Sequence, residues 1–377
     1  MKPIKFLSMA IQNIARGCFA LGCLFLAFTT PITAQTEPPA ETLLAGPAKG
    51  LFDTEEPLLI TLRGPMRKLL NNRLNDPKAY PLVLSYTRED SSPWTMPVDV
   101  RTRGHFRRQQ GNCVYPPLLI QFTTPDSNPS SVFRGQRKLK LVMPCAEDDT
   151  YIIREWLVYK IYNLITPQSF RARLVQVQME DAQSKKPAGL FYGVLLEEEE
   201  QLASRNQMQG VERQMEASRT QREAFLKMAV FEYLIGNTDW SVKFLHNIKL
   251  MATDPIAVPV AVPYDFDHAG IVNAPYALPA EQMQLRSVRE RRYRGFCVSD
   301  IRSFEPVIAQ YNHLKEDLYR LYTGCTLLDE KYIQFTVRYL DEFYATINNP
   351  KAWQREFSYP CDPSGTRNVV IKGLKKD

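Results

Sequence analysis

The sequence predicts an α+β protein, with a sheet-rich first half and a helix-rich second half. Three observations lead there. Short runs that are apolar or alternating, bounded by turn residues, recur between residues 57 and 143 and again between 173 and 197. One helix-spaced segment, 151–165, interrupts them. After residue 200, helix-spaced segments dominate, at 218–235, 300–322 and 329–347. Strands grouped before helices, rather than alternating strictly with them, are the α+β pattern.

The chain opens with Lys2, Lys5 and Arg16, then an apolar run from Cys18 to Phe28, then small residues ending at Ile32-Thr33-Ala34. Basic residues, a short apolar core and an A-x-A-like site make residues 1–34 a secretory signal peptide cleaved before Gln35. The competing reading is a membrane anchor, but the apolar run is well short of the roughly 20 residues a spanning helix needs. The expectation is an exported protein, periplasmic or extracellular, with no transmembrane span in the mature chain. Residues 35–50 are rich in Pro, Ala and Thr and read as a linker. The rest divides at the change of pattern into 51–200 and 201–377.

Within 51–200, residues 57–62 (PLLITL) and 81–86 (PLVLSY) are apolar runs and read as strands. Residues 97–103 (PVDVRTR) put valines on one face and polar groups on the other, a half-buried strand ended by Gly104. Residues 117–123 and 138–143 are two more strands. In 151–165, Ile153, Trp156, Leu157, Ile161 and Leu164 share a helix face. Strands follow at 173–180 and 190–197, and the acidic run Glu197–Glu200 reads as a solvated loop. Beyond it, 218–235 is a helix stopped by Gly236. Short strands are expected at 246–251 and 257–263, and two helices at 300–322, capped by Ser299, and 329–347.

The net charge of +6 is mild for 377 residues and forms no basic stripe with interleaved aromatics, so nucleic acid is not implied. One cluster, Arg286, Arg289, Arg291, Arg292 and Arg294, reads either as a solvated helix face or as a dock for an acidic group. Five cysteines remain after cleavage, with no zinc-like spacing: Cys113, Cys145, Cys297, Cys325 and Cys361. Cys113 and Cys145 flank neighbouring strands and are expected to bridge in an oxidising compartment. The other three leave an odd thiol. No G-x-S-x-G elbow occurs, and His105, His246, His268 and His313 have no H-E-x-x-H spacing. A glycosidase, needing only two carboxylates, stays open.

Two loops beside buried strands carry the chemistry. One runs Gly236-Asn237-Thr238-Asp239-Trp240 to His246-Asn247; the other is Tyr264-Asp265-Phe266-Asp267-His268. Acidic and amide groups beside buried strands destabilise the fold unless satisfied or used. An Asp to take a proton, an Asn, and one or two further Asp form an oxygen site suited to Mg²⁺ on phosphates. Phosphoryl transfer adds little beyond a Lys for those phosphates. The plainer readings are an Asp239 turn after a Gly-stopped helix, a turn pinned by Asn247, and a structural Asp pair.

These segments resemble the spore-coat H-type (CotH) secreted kinases of the protein-kinase-like superfamily, and more faintly the HipA-type kinases. "YLIGNTDW…HNIKLM" is similar to the catalytic loop and "VPYDFDHAG" to the metal loop. "VDVRTRGHFRR…PPLLIQF", "DDTYIIREWLVYKI" and "GLFYGVLLEE" resemble the family's arginine–glycine turn, helix and hinge strands, over roughly residues 95–275 in order. The resemblance implies a protein-kinase-like two-lobed fold: a sheet-rich N-lobe, 51–200, and a helical C-lobe, 201–377. It implies Asp239 as catalytic base, with Asn247, Asp265 and Asp267 as metal ligands. Lys140 would reach the phosphates and pair with Glu155, while Arg103, Gly104 and Arg107 lie over the phosphates. Glu197 and Glu198 would mark the adenine hinge. ATP with Mg²⁺ or Mn²⁺ would be the cofactor, and a protein or small molecule the acceptor. Two departures stand out. Asn247 is eight residues after Asp239 where the family has five, and Gly104 stands alone where a phosphate loop carries several glycines. Lys138 faces the same way as Lys140, so alternation does not choose between them. The other reading is a non-catalytic secreted binding or assembly module on the same fold.

Overall fold

Alternation along the first half builds a sheet that has no free edge. In the computed structural model, which describes residues 49–361 apart from 147, 185–186 and 280–282, seven strands close into one barrel. They are β1 (Leu58–Gly64), β2 (Tyr80–Thr87), β3 (Pro93–Thr102), β4 (Leu118–Phe122), β5 (Lys138–Val142), β6 (Ala172–Asp181) and β7 (Pro187–Leu196). The order around the barrel is β1-β2-β3-β4-β5-β7-β6. All neighbours are antiparallel except β1 and β6, which run parallel with Leu58 opposite Val175 and Gly64 opposite Asp181. The inward residues, including Ile60, Leu62, Leu84, Val100, Ile120, Leu139, Leu141, Val177 and Leu195, are buried and fill the interior. The signal peptide (1–34) and almost all of the linker (35–50) lie outside the described residues.

The α+β class stands, but the two-lobed protein-kinase-like fold does not. The finding that overturns it is the barrel: the sheet-rich half closes on itself. The closing pair joins the first strand to one that follows all the others but β7. Pairing at that sequence distance leaves no trace in local alternation, which reports only which face each residue takes.

The remaining described elements form a second apolar core. Helix α2 (Thr150–Ile165) lies between the strands and the helical part, and is buried on almost every side. Ile153, Trp156, Leu157 and Ile161 are buried as their spacing predicts, whereas Leu164 is 39% exposed. Helix α4 (Arg222–Ile235) has ten buried residues and packs against β10 of the small sheet β10-β9-β8. These strands are β8 (Gln209–Gly210), β9 (Ile248–Ala252) and β10 (Val260–Pro263). Four helices complete this part: α5 (Glu305–His313), α6 (Lys315–Thr323), α7 (Glu330–Ile347) and α8 (Pro350–Phe357).

Several boundaries differ from the pattern for local reasons. The helix expected from 218 begins at Arg222, because the Gln221 side chain caps Ala224 N–H at 2.6 Å and a 3₁₀ turn, Ala217–Arg219, precedes it. The helix expected over 300–322 is capped by Asp300 rather than Ser299 and divides at Leu314 into α5 and α6. Part of the acidic run folds into α3 (Glu199–Arg205), and α1 (Met66–Asn71) is too short to show a period.

Cys113 and Cys145 are bridged, with Cα atoms 4.4 Å apart. A second bridge, Cys297–Cys361, takes two of the remaining three cysteines and leaves Cys325 free. On the chain-entropy account, loops of this size stabilise by about 4 kcal/mol each. No helix among the described residues is long and apolar enough to cross a membrane.

Candidate functional site

Helix α4 ends where Gly236 turns left-handed, at φ 70° and ψ 35°. That reversal sends Asn237, Thr238, Asp239 and Trp240 back into the core, where all four are buried. Asn237 Oδ1 accepts the Asp239 N–H at 3.0 Å and fixes the turn. Ser241 and His246 then exchange backbone hydrogen bonds of 2.9 and 3.0 Å. This small hairpin takes up the extra residues between Asp239 and Asn247. Leu245 and Asn247 have positive φ, 50° and 52°, inside it and just beyond it. Backbone cost of this kind persists where surrounding contacts dictate it.

The hairpin delivers His246 and Asn247 to Asp239. His246 Nε2 lies 2.8 Å from Asp239 Oδ1. Asn247 Nδ2 donates to the Asp239 carbonyl at 2.8 Å and to Oδ2 at 3.2 Å. Burial opposes ionisation of Asp239, but the His246 hydrogen bond, with the His246, His268 and Arg294 charges, holds its carboxyl below the usual range. The His246 imidazole is shifted upward: burial opposes its charge, and the Asp239 hydrogen bond and carboxylate outweigh it. Arg294 donates to the carbonyls of Thr238 and Trp240, either side of Asp239, and lies 5.3 Å from the centre of the Trp240 ring. Burial lowers its own guanidinium to about 10.

The second loop is stitched to the first. Gly270 N–H donates to Gly236 O at 3.2 Å and Ile271 N–H to Ile235 O at 3.0 Å. At its start, Tyr264 N–H donates to Asn247 O at 3.0 Å. Asp265 takes positive φ, 66°, and donates its N–H to Tyr159 Oη at 2.9 Å. Asp265 keeps an edge open to solvent. Even so, burial by the surrounding protein and the neighbouring Asp267 push it up to about 6, against the pull of Arg103 and Arg107. Asp267 is buried and accepts from Tyr276 Oη at 2.8 Å. Glu155 of α2 faces this pair. It is wholly buried, neither oxygen has a well-formed hydrogen bond, and burial with Asp267 and Asp265 drives its acidity down.

The structure thus gathers Asp239, Asn247, Asp265, Asp267 and Glu155 into one acidic centre. The expected cations stand around it differently from expectation. Arg107 does not lie at the surface: its guanidinium is buried among Tyr276, Tyr151, Asp267 and Glu155, whose combined pull raises its affinity for its proton despite desolvation. No ion pair joins Lys140 to Glu155. Lys140 instead sits 5.3 Å over the Tyr264 ring and 5.9 Å over Phe170. Burial, Arg103 and Lys249 lower its amine to about 8 against Glu198 and Glu199. Lys138 shares that strand face and lies near Glu198. Gly104 has φ 82°, and a Cβ there would meet only Pro117 Cγ, at 3.9 Å. Glu197 is buried and held by Arg205 at 2.8 Å and by the Arg171 N–H at 3.0 Å. With Glu198 it lines a 470 Å³ cleft bordered by Leu51, Phe52, Arg137 and Gln201.

Two contributors escaped the sequence reading. His246 lies within the first loop without metal-ligand spacing to mark it, and Arg294 is one of five clustered arginines. The solvated-helix-face reading of that cluster does not hold: residues 286–294 form no helix, and four of the arginines are stacked on rings. Arg289, Arg291, Arg292 and Arg294 lie over Phe335, Tyr339, Tyr359 and Trp240, at 4.6, 3.5, 4.5 and 5.3 Å.

The residues fit a divalent cation on one condition. Among the described residues, no group of three or more His, Cys, Asp or Glu side chains is placed to hold a metal ion. Asn247 and Asp265 offer two oxygen ligands, because the Asn247 amide nitrogen makes both hydrogen bonds to Asp239. Mg²⁺ commonly binds to one or two carboxylates and completes its shell with phosphates and water. No family model matches the chain, and no curated protein matches it either.

Proposed function

We propose that this centre transfers a phosphoryl group from a nucleotide, with Mg²⁺ or Mn²⁺, to an acceptor hydroxyl. Phosphoryl transfer depends on positioning and charge more than on a given fold. The observation that carries the reading is a buried Asp239, hydrogen-bonded by His246 and Asn247 and kept ionised chiefly by His246, beside a second carboxylate at Asp265.

Asp239 accepts the proton of the acceptor hydroxyl as its oxygen attacks the terminal phosphorus, and the bond to the leaving diphosphate breaks. Asn247 and Asp265 would hold the cation, whose chemistry is to neutralise charge on the phosphate oxygens. Arg103 and Lys140, neither of which makes an ion pair among the described residues, would suit phosphate oxygens, and the charge of Arg103 is felt at both Lys140 and Asp265. Export is part of the proposal, supported by the two disulfides and by the N-terminal pattern.

The test is Asp239→Asn, which keeps the shape and loses the base. Transfer of γ-³²P should fall by roughly 10²–10⁴-fold, while Mn²⁺–ATP still raises the melting temperature. Labelling equal to wild type would remove Asp239 from the chemistry. Absence of any thermal shift in wild type at millimolar Mn²⁺–ATP would favour the non-catalytic module instead.

A further inference from the structure

The loop that carries Arg107 is fastened by the Cys113–Cys145 disulfide. Val114 N–H donates to Cys145 O at 2.6 Å, so a backbone bond runs beside the bridge. Arg107 donates to the carbonyl of Met143, two residues before Cys145. Its guanidinium carbon lies 5.8 Å from the centre of the Tyr276 ring. A second line of contacts leaves the same bridge. Cys145 N–H donates to Tyr151 Oη, Tyr151 meets Tyr276 edge-on at 5.6 Å and 89°, and Tyr276 Oη donates to Asp267 at 2.8 Å. Both lines end on the acidic centre. There Arg107 is buried over the Tyr276 ring, and Glu155 has no well-formed hydrogen bond of its own.

We propose that the Cys113–Cys145 disulfide is an assembly switch for the site: closing it seats Arg107 and Tyr151 against Tyr276, whose hydroxyl holds Asp267, and so shapes the Asp265–Asp267 loop. Arg107 is a positioning residue here, acting through Tyr276. A buried carboxylate that loses its hydrogen-bond donor is strongly unfavourable, so a loose Arg107 loop, by freeing Tyr276 from Asp267, lets the Asp265–Asp267 segment open toward water. Closure proceeds by exchange with an oxidised disulfide carrier. One thiolate attacks the carrier, the second cysteine displaces it, and two electrons and two protons leave with the carrier as its dithiol. The site would then be complete only in an oxidising compartment, whatever the chain does before export.

The inference rests on reading this centre as the functional site, yet its first test needs no turnover. Backbone hydrogen exchange is measured by mass spectrometry on the full oxidised chain. In peptides covering 264–278, Cys113→Ser/Cys145→Ser and Arg107→Met should each speed exchange by about tenfold or more. Combining them should add nothing further, because both remove the same restraint. Cys297→Ser/Cys361→Ser should leave those peptides as in wild type. Unchanged exchange in either variant, or fully additive effects, would overturn the proposal. If the bridge variant fails to fold, Arg107→Lys with the bridge intact decides the matter. It keeps the charge but loses the planar fork, so wild-type exchange in that variant overturns the proposal. Mn²⁺–ATP affinity should fall in parallel; if wild type binds no nucleotide, the phosphoryl-transfer reading fails while the exchange result still decides this one.

Discussion

Gly236→Ala should be among the costliest single-methyl additions in the chain, and its cost can be worked from two glycines. Gly236 and Gly111 both have positive φ, 70° and 89°. An L side chain in that region costs roughly 1–2 kcal/mol, partly offset by the smaller entropy of the unfolded alanine chain. At Gly111 a Cβ meets nothing within 4 Å, so that is the whole effect. At Gly236 the Cβ would overlap Tyr339 Oη and come within 3.4 Å of Val288 O. Tyr339 is buried, stacked under Arg291 and bonded to Arg289 O at 3.1 Å. Moving it forfeits that hydrogen bond, about 1 kcal/mol, and adds overpacking of about 1–3 kcal/mol. Gly236→Ala should therefore destabilise by about 3–5 kcal/mol and Gly111→Ala by about 1 kcal/mol, read as urea midpoints at constant m-value. Costs equal to within about 0.5 kcal/mol would refute the steric argument. They would also loosen the claim that this turn sets the position of Asp239.

Two further outcomes follow from the charges. His246 is held above its ordinary value, so its contribution is complete below about pH 6.5 and fades as pH rises through its folded value. Asp239 is held below its own, so its contribution is lost as pH falls through the folded value, below about 3.9. His246→Gln should thus cost about 1–2 kcal/mol near pH 5 and less at pH 8.5 by urea unfolding; a pH-independent cost refutes the pairing. Asp265, pushed up to about 6, carries the opposite sign: its penalty grows as pH rises from about 3.9 through 6. Asp265→Asn should therefore stabilise the metal-free protein by about 1–2 kcal/mol at pH 7.5 and abolish Mn²⁺–ATP binding. Destabilisation at that pH would contradict the account by burial and the Asp267 charge.

The strands were legible because each alternates against a core, as Leu82, Leu84 and Tyr86 do along β2. The closure was not, because a parallel pair such as Leu58 with Val175 looks locally like any other pair. Asp239, Asn247 and Asp265 were legible as polar residues in loops beside buried strands. The surroundings of Glu155 were not: a lysine on the preceding strand is the economical guess for a partner, and Lys140 lies over Tyr264 while Glu155 stays buried without a well-formed hydrogen bond. The second disulfide was hidden for a similar reason. Three cysteines offer three pairings, and only the meeting of Cys297 with Cys361 selects one.

The parallel β1–β6 pair has a consequence for how the chain reaches its native state. If the protein crosses a membrane amino end first, β1 emerges early and finds β2, but its other edge waits for Ala172–Asp181. Throughout that interval an unpaired strand edge faces its surroundings, and such edges recruit other chains. Long-range pairings are also slow to form, because the intervening loop must be ordered before the contact rewards it. The barrel that leaves no edge in the finished molecule therefore leaves one open for most of its making. A holding chaperone that masks strand edges would be expected to raise the yield of folded protein more than a faster oxidant would.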